Sequence, residues 1–243
     1  MFFVAKMTVL WYYTVKKMGW IMENAFYDKD GNSIVYDLDK KISNGAYGNI
    51  YKINSDECIK LYYKFSYSNQ EYVIQLIKEM KLGNMYDIHN LLYNNNHNLI
   101  GYTMKYYEEY YSDLFLVPMD YLITNFCSIY DIIKQVSKAN VIMNDTNPKN
   151  VILTSDKIMI IDIDQYTLVK LSGFTENIYQ DNTRRVYDLF IDLFLQSFKN
   201  DNFEYNYRKS LNKLSRIFNY NNSVSDVCKK LVKYKYPIDI LEK

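Results

Sequence analysis

Hydrophobic and polar positions alternate in short runs over residues 33–64 (SIVYDL, NIYKI, ECIKLYY), and Asn-Gly and Asn-Ser-Asp-Glu turns separate the runs. Successive side chains of a strand face opposite sides, so period-two runs punctuated by turn residues predict an antiparallel meander. Over residues 69–85 the apolar positions shift to 73, 76, 77, 80 and 82, close to a helical repeat, and Gly83 stands where a helix would stop. Two more strand-like runs, 89–93 and 98–106, flank the polar turn Asn94-Asn95-Asn96. After Ser112 the pattern becomes helical, over 120–138, 182–198, 204–218 and 223–234, with strand-like pieces at 151–154 and 158–163. The order predicts an α+β chain in two lobes: an N-terminal antiparallel sheet with one helix, then a mainly helical half carrying a small hairpin.

Residues 1–30 read as an N-terminal extension ending in the turn Asp28-Lys29-Asp30-Gly31, with Met18 and Met22 as alternative starts. The apolar run 7–15 is too short to span a bilayer, is bracketed by Lys6 and Lys16-Lys17, and lacks a small-residue cleavage site. The expectation is a cytoplasmic protein with no membrane span, in its own cell or in a host reached by a secreted effector or a virus. With 49% hydrophobic residues, 23% charged and a net charge of +1, the chain has the composition of a globular protein. That balance argues against a nucleic-acid partner bound through bulk charge. The three cysteines, Cys58, Cys127 and Cys228, are far apart and only His89 and His97 could help them, so neither a metal cluster nor a disulfide is expected.

Chemistry-bearing residues come in a fixed order. Ser43-Asn44-Gly45-Ala46-Tyr47-Gly48-Asn49-Ile50 lies between two predicted strands. Glycines there suit a hairpin whose backbone approaches a phosphate, and equally suit an ordinary turn. Lys60 sits mid-strand among apolar neighbours and needs an anionic partner or an exposed edge; Glu79, on the predicted helix, could supply the carboxylate. The run Met143-Asn144-Asp145-Thr146-Asn147-Pro148-Lys149-Asn150 precedes a hairpin that ends in Asp162-Ile163-Asp164. Such a hairpin would carry Asn150 and Asp162 to neighbouring positions as hard oxygen ligands for magnesium, leaving Asp145 as a base. Singly, each is also an ordinary turn or cap residue.

In that order the residues resemble the protein-kinase-like family over about residues 33–200. Ser43 to Ile50 is similar to its Gly-rich loop with Ser in the first glycine position, and Glu57-Cys58-Ile59-Lys60 to its V-A-I-K strand. Residues 104–107 resemble the inter-lobe hinge, Met143 to Asn150 the H-R-D-L-K-P-E-N loop, and Asp162-Ile163-Asp164 the D-F-G motif. The resemblance implies an N-lobe over 31–107 and a reduced C-lobe over 108–243, with ATP and Mg²⁺ as cofactors. It implies that Lys60, held by Glu79, contacts the α- and β-phosphates and that Ser43, Gly45 and Gly48 cover them. Asn150 and Asp162 would hold Mg²⁺, with Asp164 as a further ligand or a strand cap, and Asp145 would accept the acceptor hydroxyl's proton. Ile50, Cys58, Met104 and Ile152 would form the adenine slot, with backbone groups near Tyr106 as its hydrogen-bonding partners.

The chain also departs from the family. Asn147 replaces the loop lysine of Ser/Thr kinases, and Lys149 stands where tyrosine kinases carry a compensating arginine. Met143-Asn144 replaces His-Arg, which removes the usual partner of an activation-loop phosphate. About twenty residues separate Asp162 from the next predicted helix, and no A-P-E motif appears. The expectation is therefore a compact Mg²⁺-dependent phosphotransferase acting on a protein hydroxyl without activation-loop control. The alternatives are a small-molecule kinase of the aminoglycoside or choline type and a pseudokinase that serves as a nucleotide- and partner-binding scaffold.

Overall fold

The structure, a computed structural model, describes residues 26–36, 38, 41–45, 47–64, 68–85, 87–169, 175–197 and 204–242. Most of the proposed 1–30 extension lies outside them, as does Ala46. The architecture is α+β. The chain divides into two compact units, Met1–Ser66 with Ile88–Tyr106, and Tyr67–Asp87 with Tyr107–Lys243.

The first unit is built on a seven-stranded antiparallel sheet in the order β2-β1-β6-β7-β5-β4-β3. Its strands are β1 (Phe26–Tyr27), β2 (Ser33–Ile34), β3 (Lys41–Asn44), β4 (Gly48–Lys52), β5 (Glu57–Tyr62), β6 (Ile88–Tyr93) and β7 (Leu99–Lys105). β5 is an interior strand, pairing Ile50 with Lys60 on one side and Lys60 with Tyr102 on the other. One face is closed by buried Phe26, Ile59 and Leu92, against which Ile34, Tyr51 and Leu61 pack. Edge strand β3 carries a register shift between Lys41 and Ser43, an irregularity common where a strand leaves its sheet.

The second unit opens with α1 (Ser68–Met80), whose chain continues into an isolated parallel bridge, Met85 with Ile160. Helix α2 (Met119–Lys138) packs on α3 (Thr175–Ser197), and α4 (Glu204–Ile217), α5 (Val224–Leu231) and α6 (Asp239–Glu242) complete the helical part. Its core is aromatic: Phe126 meets Phe190 edge-on at 5.0 Å, and Phe190 stacks on Phe218 at 5.6 Å, a favourable pairing of ring quadrupoles. Two short ladders stand beside the helices, β9 (Val151–Leu153) with β10 (Ile158–Ile160), and β8 (Val141–Ile142) with β11 (Thr167–Leu168). Among the described residues no helix is long and apolar enough to cross a membrane.

One helix differs from its sequence pattern. α3 begins at Thr175, not near residue 182, so Arg184 and Arg185 lie in its interior and not in its first turn. Its buried face includes the polar side chains Asn182 and Thr183, which interrupt the hydrophobic repeat by which a helix start is read.

Candidate active site

In the second unit, β8 delivers the chain into the loop of residues 143–150. Thr146 Oγ1 donates to Met143 O at 2.6 Å, and Asn147 Oδ1 accepts from Lys149 N–H at 3.0 Å, so the loop is braced by its own side chains. The Asp145 carboxylate is held by two amides: Asn147 Nδ2 donates to Oδ1 at 2.8 Å and Asn150 Nδ2 to Oδ2 at 3.1 Å. Asn150 Nδ2 also donates to Asp145 O at 2.9 Å. With its nitrogen committed to Asp145, the amide offers Oδ1 as its ligand atom.

The β9–β10 ladder pairs Val151 with Ile160, and Ile161 N–H donates to Asn150 O at 2.8 Å. Asn150 is thereby joined to the residue that immediately precedes Asp162. Asp145 and Asp162 both have left-handed backbone, at φ 56° and 62°. Other non-glycine residues of that kind close turns or helix ends (Lys81 after α1, His97 between β6 and β7, Asn140 after α2), whereas these two carry the acids of the loops. Aspartate tolerates this region better than most residues, and such strain persists only where surrounding contacts fix it. Asp145 and Lys149 are exposed, Asn150 and Asp162 half-buried, and Asp164 is buried in a turn whose main-chain O accepts from Gln70 Nε2 of α1 at 2.9 Å. Tyr166, two residues on, is buried, and its phenol is held well above its ordinary pKa by burial and by the charges of Asp162 and Asp145. Ile152, half-buried on β9, pairs with Met159.

Among the described residues no three His, Cys, Asp or Glu side chains gather as a metal-binding group. Asn150 Oδ1 and the Asp162 carboxylate are the two oxygens that the sequence singles out, on residues joined through the bond of Ile161 N–H to Asn150 O. Magnesium commonly takes one or two protein oxygens and completes its shell with water and phosphate.

In the first unit, Lys60 is 2% exposed in the middle of β5. Gly48 is required there for a plain reason: a Cβ would lie 2.2 Å from Leu61 O of the paired strand. Gly45 is less constrained, with 3.3 Å to Gly48 O, the atom that accepts its own N–H. Ser43 is exposed and pairs with half-buried Ile50. Cys58 and Met104 are buried and directly opposed across β5 and β7, with Ile88 on the far side of Met104, so both are core of the sheet. Burial pushes the Cys58 thiol up to about 12. Tyr106 N–H donates to Asp56 O at 2.7 Å, and its ring lies 3.9 Å under the Lys52 ammonium. On α1, in the second unit, Glu79 is exposed and accepts from Gln75 Nε2 at 2.7 Å, while Glu71 in the first turn is half-buried.

No family model matches the chain, and no curated protein does either. The functional reading rests on the geometry and on the order of the residues.

Sequence reasoning passes over three supporting residues, Asn182, Asn125 and Gly101, and reads a fourth, Asn144, only as a lost arginine. Asn182 of α3 is fully buried; it accepts from Met143 N–H at 2.8 Å and donates to Val141 O and Ser137 Oγ at 2.9 Å, locking the strand that feeds the Asp145 loop. Asn144 Nδ2 ties the same loop to Gln165 O and to Thr167 Oγ1. Asn125 accepts from Ile158 N–H at 2.7 Å and from Asn84 Nδ2 at 2.8 Å, fixing the hairpin that leads to Asp162. Gly101 lies where a Cβ would meet Lys60 O at 2.1 Å. A lone asparagine or a glycine inside a strand gives no sequence signal of such a role; the only trace is an Asn breaking the apolar repeat of a helix.

Proposed function

We propose that the chain is an ATP- and Mg²⁺-dependent phosphotransferase of two-lobed protein-kinase-like fold that acts on a protein hydroxyl in the cytoplasm, where ATP is plentiful. The observation that carries the reading is the amide of Asn150 on the carboxylate of Asp145, at 3.1 Å, with Asn150 O bound to the N–H next to Asp162. These hydrogen bonds serve no core. They support reading Asp145 as a base and Asn150 and Asp162 as oxygen ligands, in a chemistry that depends on positioning and charge neutralisation.

On this reading Asp145 receives the acceptor's proton, and its bonds from Asn147 and Asn150 fix the orientation of the carboxylate. Asn150 and Asp162 would hold magnesium, which neutralises charge on the phosphates. Asp164 is kept as a further acid beside Asp162. Lys60 contributes the buried cation for the α- and β-phosphates, Ser43, Gly45 and Gly48 their cover, and exposed Lys149 the cation that the loop lacks at Asn147. Glu79 has the role of the acid for Lys60 by motif order alone. Ile50, Cys58, Met104 and Ile152 are the adenine neighbours by alignment, with the carbonyls near Tyr106 taking the place of its committed N–H.

A small-molecule acceptor is the second reading. It is favoured by the short interval between Asp162 and Thr175, where α3 begins, because little chain is left to build a peptide platform.

The test is incubation of the purified chain with γ-labelled ATP, with and without magnesium, beside a mixed protein acceptor and a panel of small hydroxyl compounds. Magnesium-dependent label on protein supports the proposal, and label on a small molecule selects the second reading. Nucleotide binding without any transfer or hydrolysis leaves the scaffold alternative and defeats the enzyme. In the same assay Lys149→Ala should lower kcat by about tenfold with little change in KM for ATP, the pattern of an interaction made in the transition state.

A further inference from the structure

Two thiols far apart in sequence meet in the second unit. Cys127, midway along α2, and Cys228, on α5, are 101 residues apart, yet their Sγ atoms lie 3.3 Å from one another. Both are half-buried, unlike Cys58, which is enclosed in the sheet of the other unit. Their surroundings belong to no metal-binding group among the described residues. A disulfide needs its sulfurs at about 2.05 Å, so the bond requires an approach of only about 1.2 Å, which side-chain rotation can supply.

We propose that Cys127 and Cys228 form an oxidisable dithiol, a modification site at which a peroxide-class oxidant joins α2 to α5 through an intramolecular disulfide. The Cys228 proton is held tightly: burial, together with the neighbouring Cys127 sulfur, pushes its thiol up to about 12. With Cys127 as the attacking sulfur, the oxidation runs in two steps. The Cys127 thiolate attacks a peroxide oxygen, the O–O bond breaks, and the products are a sulfenic acid and, after protonation, water. Cys228 Sγ then attacks the sulfenic sulfur; the S–O bond breaks, and the departing hydroxide takes the Cys228 proton as a second water. Two thiols and one hydrogen peroxide thus become one disulfide and two waters.

The ring so closed spans residues 127–228 and contains Asp145, Asn150, Asp162 and all of α3. The cross-link removes freedom from the unfolded chain and adds little to the folded one, so its signature is thermal, a Tm rise of roughly 5–15 °C. This inference is independent of the phosphotransferase reading and survives or fails without it.

The experiment exposes the full chain to stoichiometric hydrogen peroxide, then counts thiols in denaturant and maps peptides by mass spectrometry without reduction. Loss of two of the three thiols, with the Cys127 and Cys228 peptides joined and lighter by two hydrogens, is the expected result, reversed by dithiothreitol. Cys58→Ser should still form the link, and Cys127→Ser and Cys228→Ser should each abolish it. Three titratable thiols after treatment, a link through Cys58 or between two chains, or oxygen added at Cys127 with no cross-link, would each overturn the proposal. If a serine variant proves unfolded by circular dichroism, the wild-type peptide map decides alone.

Discussion

The two units hold the residues singled out by sequence in different ways. In the first, nearly every residue singled out by sequence has a sufficient reason to be there within the sheet. Gly48 gives room to Leu61 O, Cys58 and Met104 fill the space across β5 and β7, and Tyr106 N–H closes on Asp56. In the second, Asp145, Asn147 and Asn150 are exposed or half-buried, contribute nothing to a core, and spend their polar atoms on one another around a left-handed Asp145. A residue that the fold already explains says little about activity. A strained, self-bonded polar loop with no packing role says much more. Lys60 is the exception in the first unit, since a sheet core gains nothing from an ammonium and desolvating one is costly.

The largest expected effect tests one residue from each side. Asp162→Asn should lower phosphoryl transfer by about 10³-fold or more, and Lys60→Met by about 10²-fold, because charge placed on the phosphates carries most of this catalysis. The two should differ in stability. Asp162→Asn should leave Tm nearly unchanged, whereas Lys60→Met, which takes a buried cation from the group that balances it, should lower it. The measurement is ATP consumption beside a thermal melt. Unchanged turnover in either variant removes that residue from the site, and a collapse of Tm in Asp162→Asn would return it to structure.

Next in size is a comparison between the two glycines. Gly48→Ala drives a methyl into Leu61 O at 2.2 Å and should cost about 1–3 kcal/mol, several degrees of Tm, through a separation of β4 from β5. Gly45→Ala meets only Gly48 O at 3.3 Å and should melt close to wild type. If the hairpin covers phosphates, Gly45→Ala raises KM for ATP without touching Tm. Wild-type KM in that variant would leave the first unit's glycines to the sheet alone.

Much of this architecture is legible in the sequence because it rests on local periodicity. The strands of residues 88–105 and helix α2 fall within a residue or two of their patterns, since one buried face sets the period of each. What escapes is what tertiary contact decides. The β8–β11 ladder pairs Val141 with Leu168, far apart along the chain, and at two residues long is too short for any periodicity to register. Asn182 and Thr183 hide the start of α3 because their burial follows from hydrogen bonding and packing against other segments. The approach of Cys127 to Cys228 depends on how α5 lies on α2, and the absence of any metal-like spacing made the pair look unrelated. The site follows the same division. Order along the chain puts Asp145, Asn150 and Asp162 on the page, while the holding roles of Asn182, Asn144 and Asn125 emerge only from three dimensions.

The smallest expected effect is none. Protein stripped by phosphatase should turn over at the untreated rate, because on the proposed reading the segment after Asp162 is not a phosphate switch. Of its hydroxyl residues Ser172 lies outside the described residues, Thr175 begins α3, and Thr183 is 7% exposed on that helix. Tyr179 is half-buried, its hydroxyl bonded to that of Tyr130, and its phenol is held above the ordinary range first by burial and then by that bond. A kinase reaching Thr183 or Tyr179 would have to unwind two turns of a helix whose later part packs on α2. Under the proposed reading Asn144 stands where the cation for an activation-loop phosphate would be, and it spends its amide on Gln165 O and Thr167 Oγ1. Replacing the four together (Ser172→Ala, Thr175→Ala, Tyr179→Phe, Thr183→Ala) should lower Tm slightly, since one buried hydrogen bond worth about 1 kcal/mol is lost, and leave kcat within about twofold. Mass spectrometry must first establish that the compared preparations differ in phosphate. An inactive phosphatase-treated sample beside an active untreated one would refute constitutive activity, and would turn attention to Arg184 and Arg185 as sensors in the interior of α3.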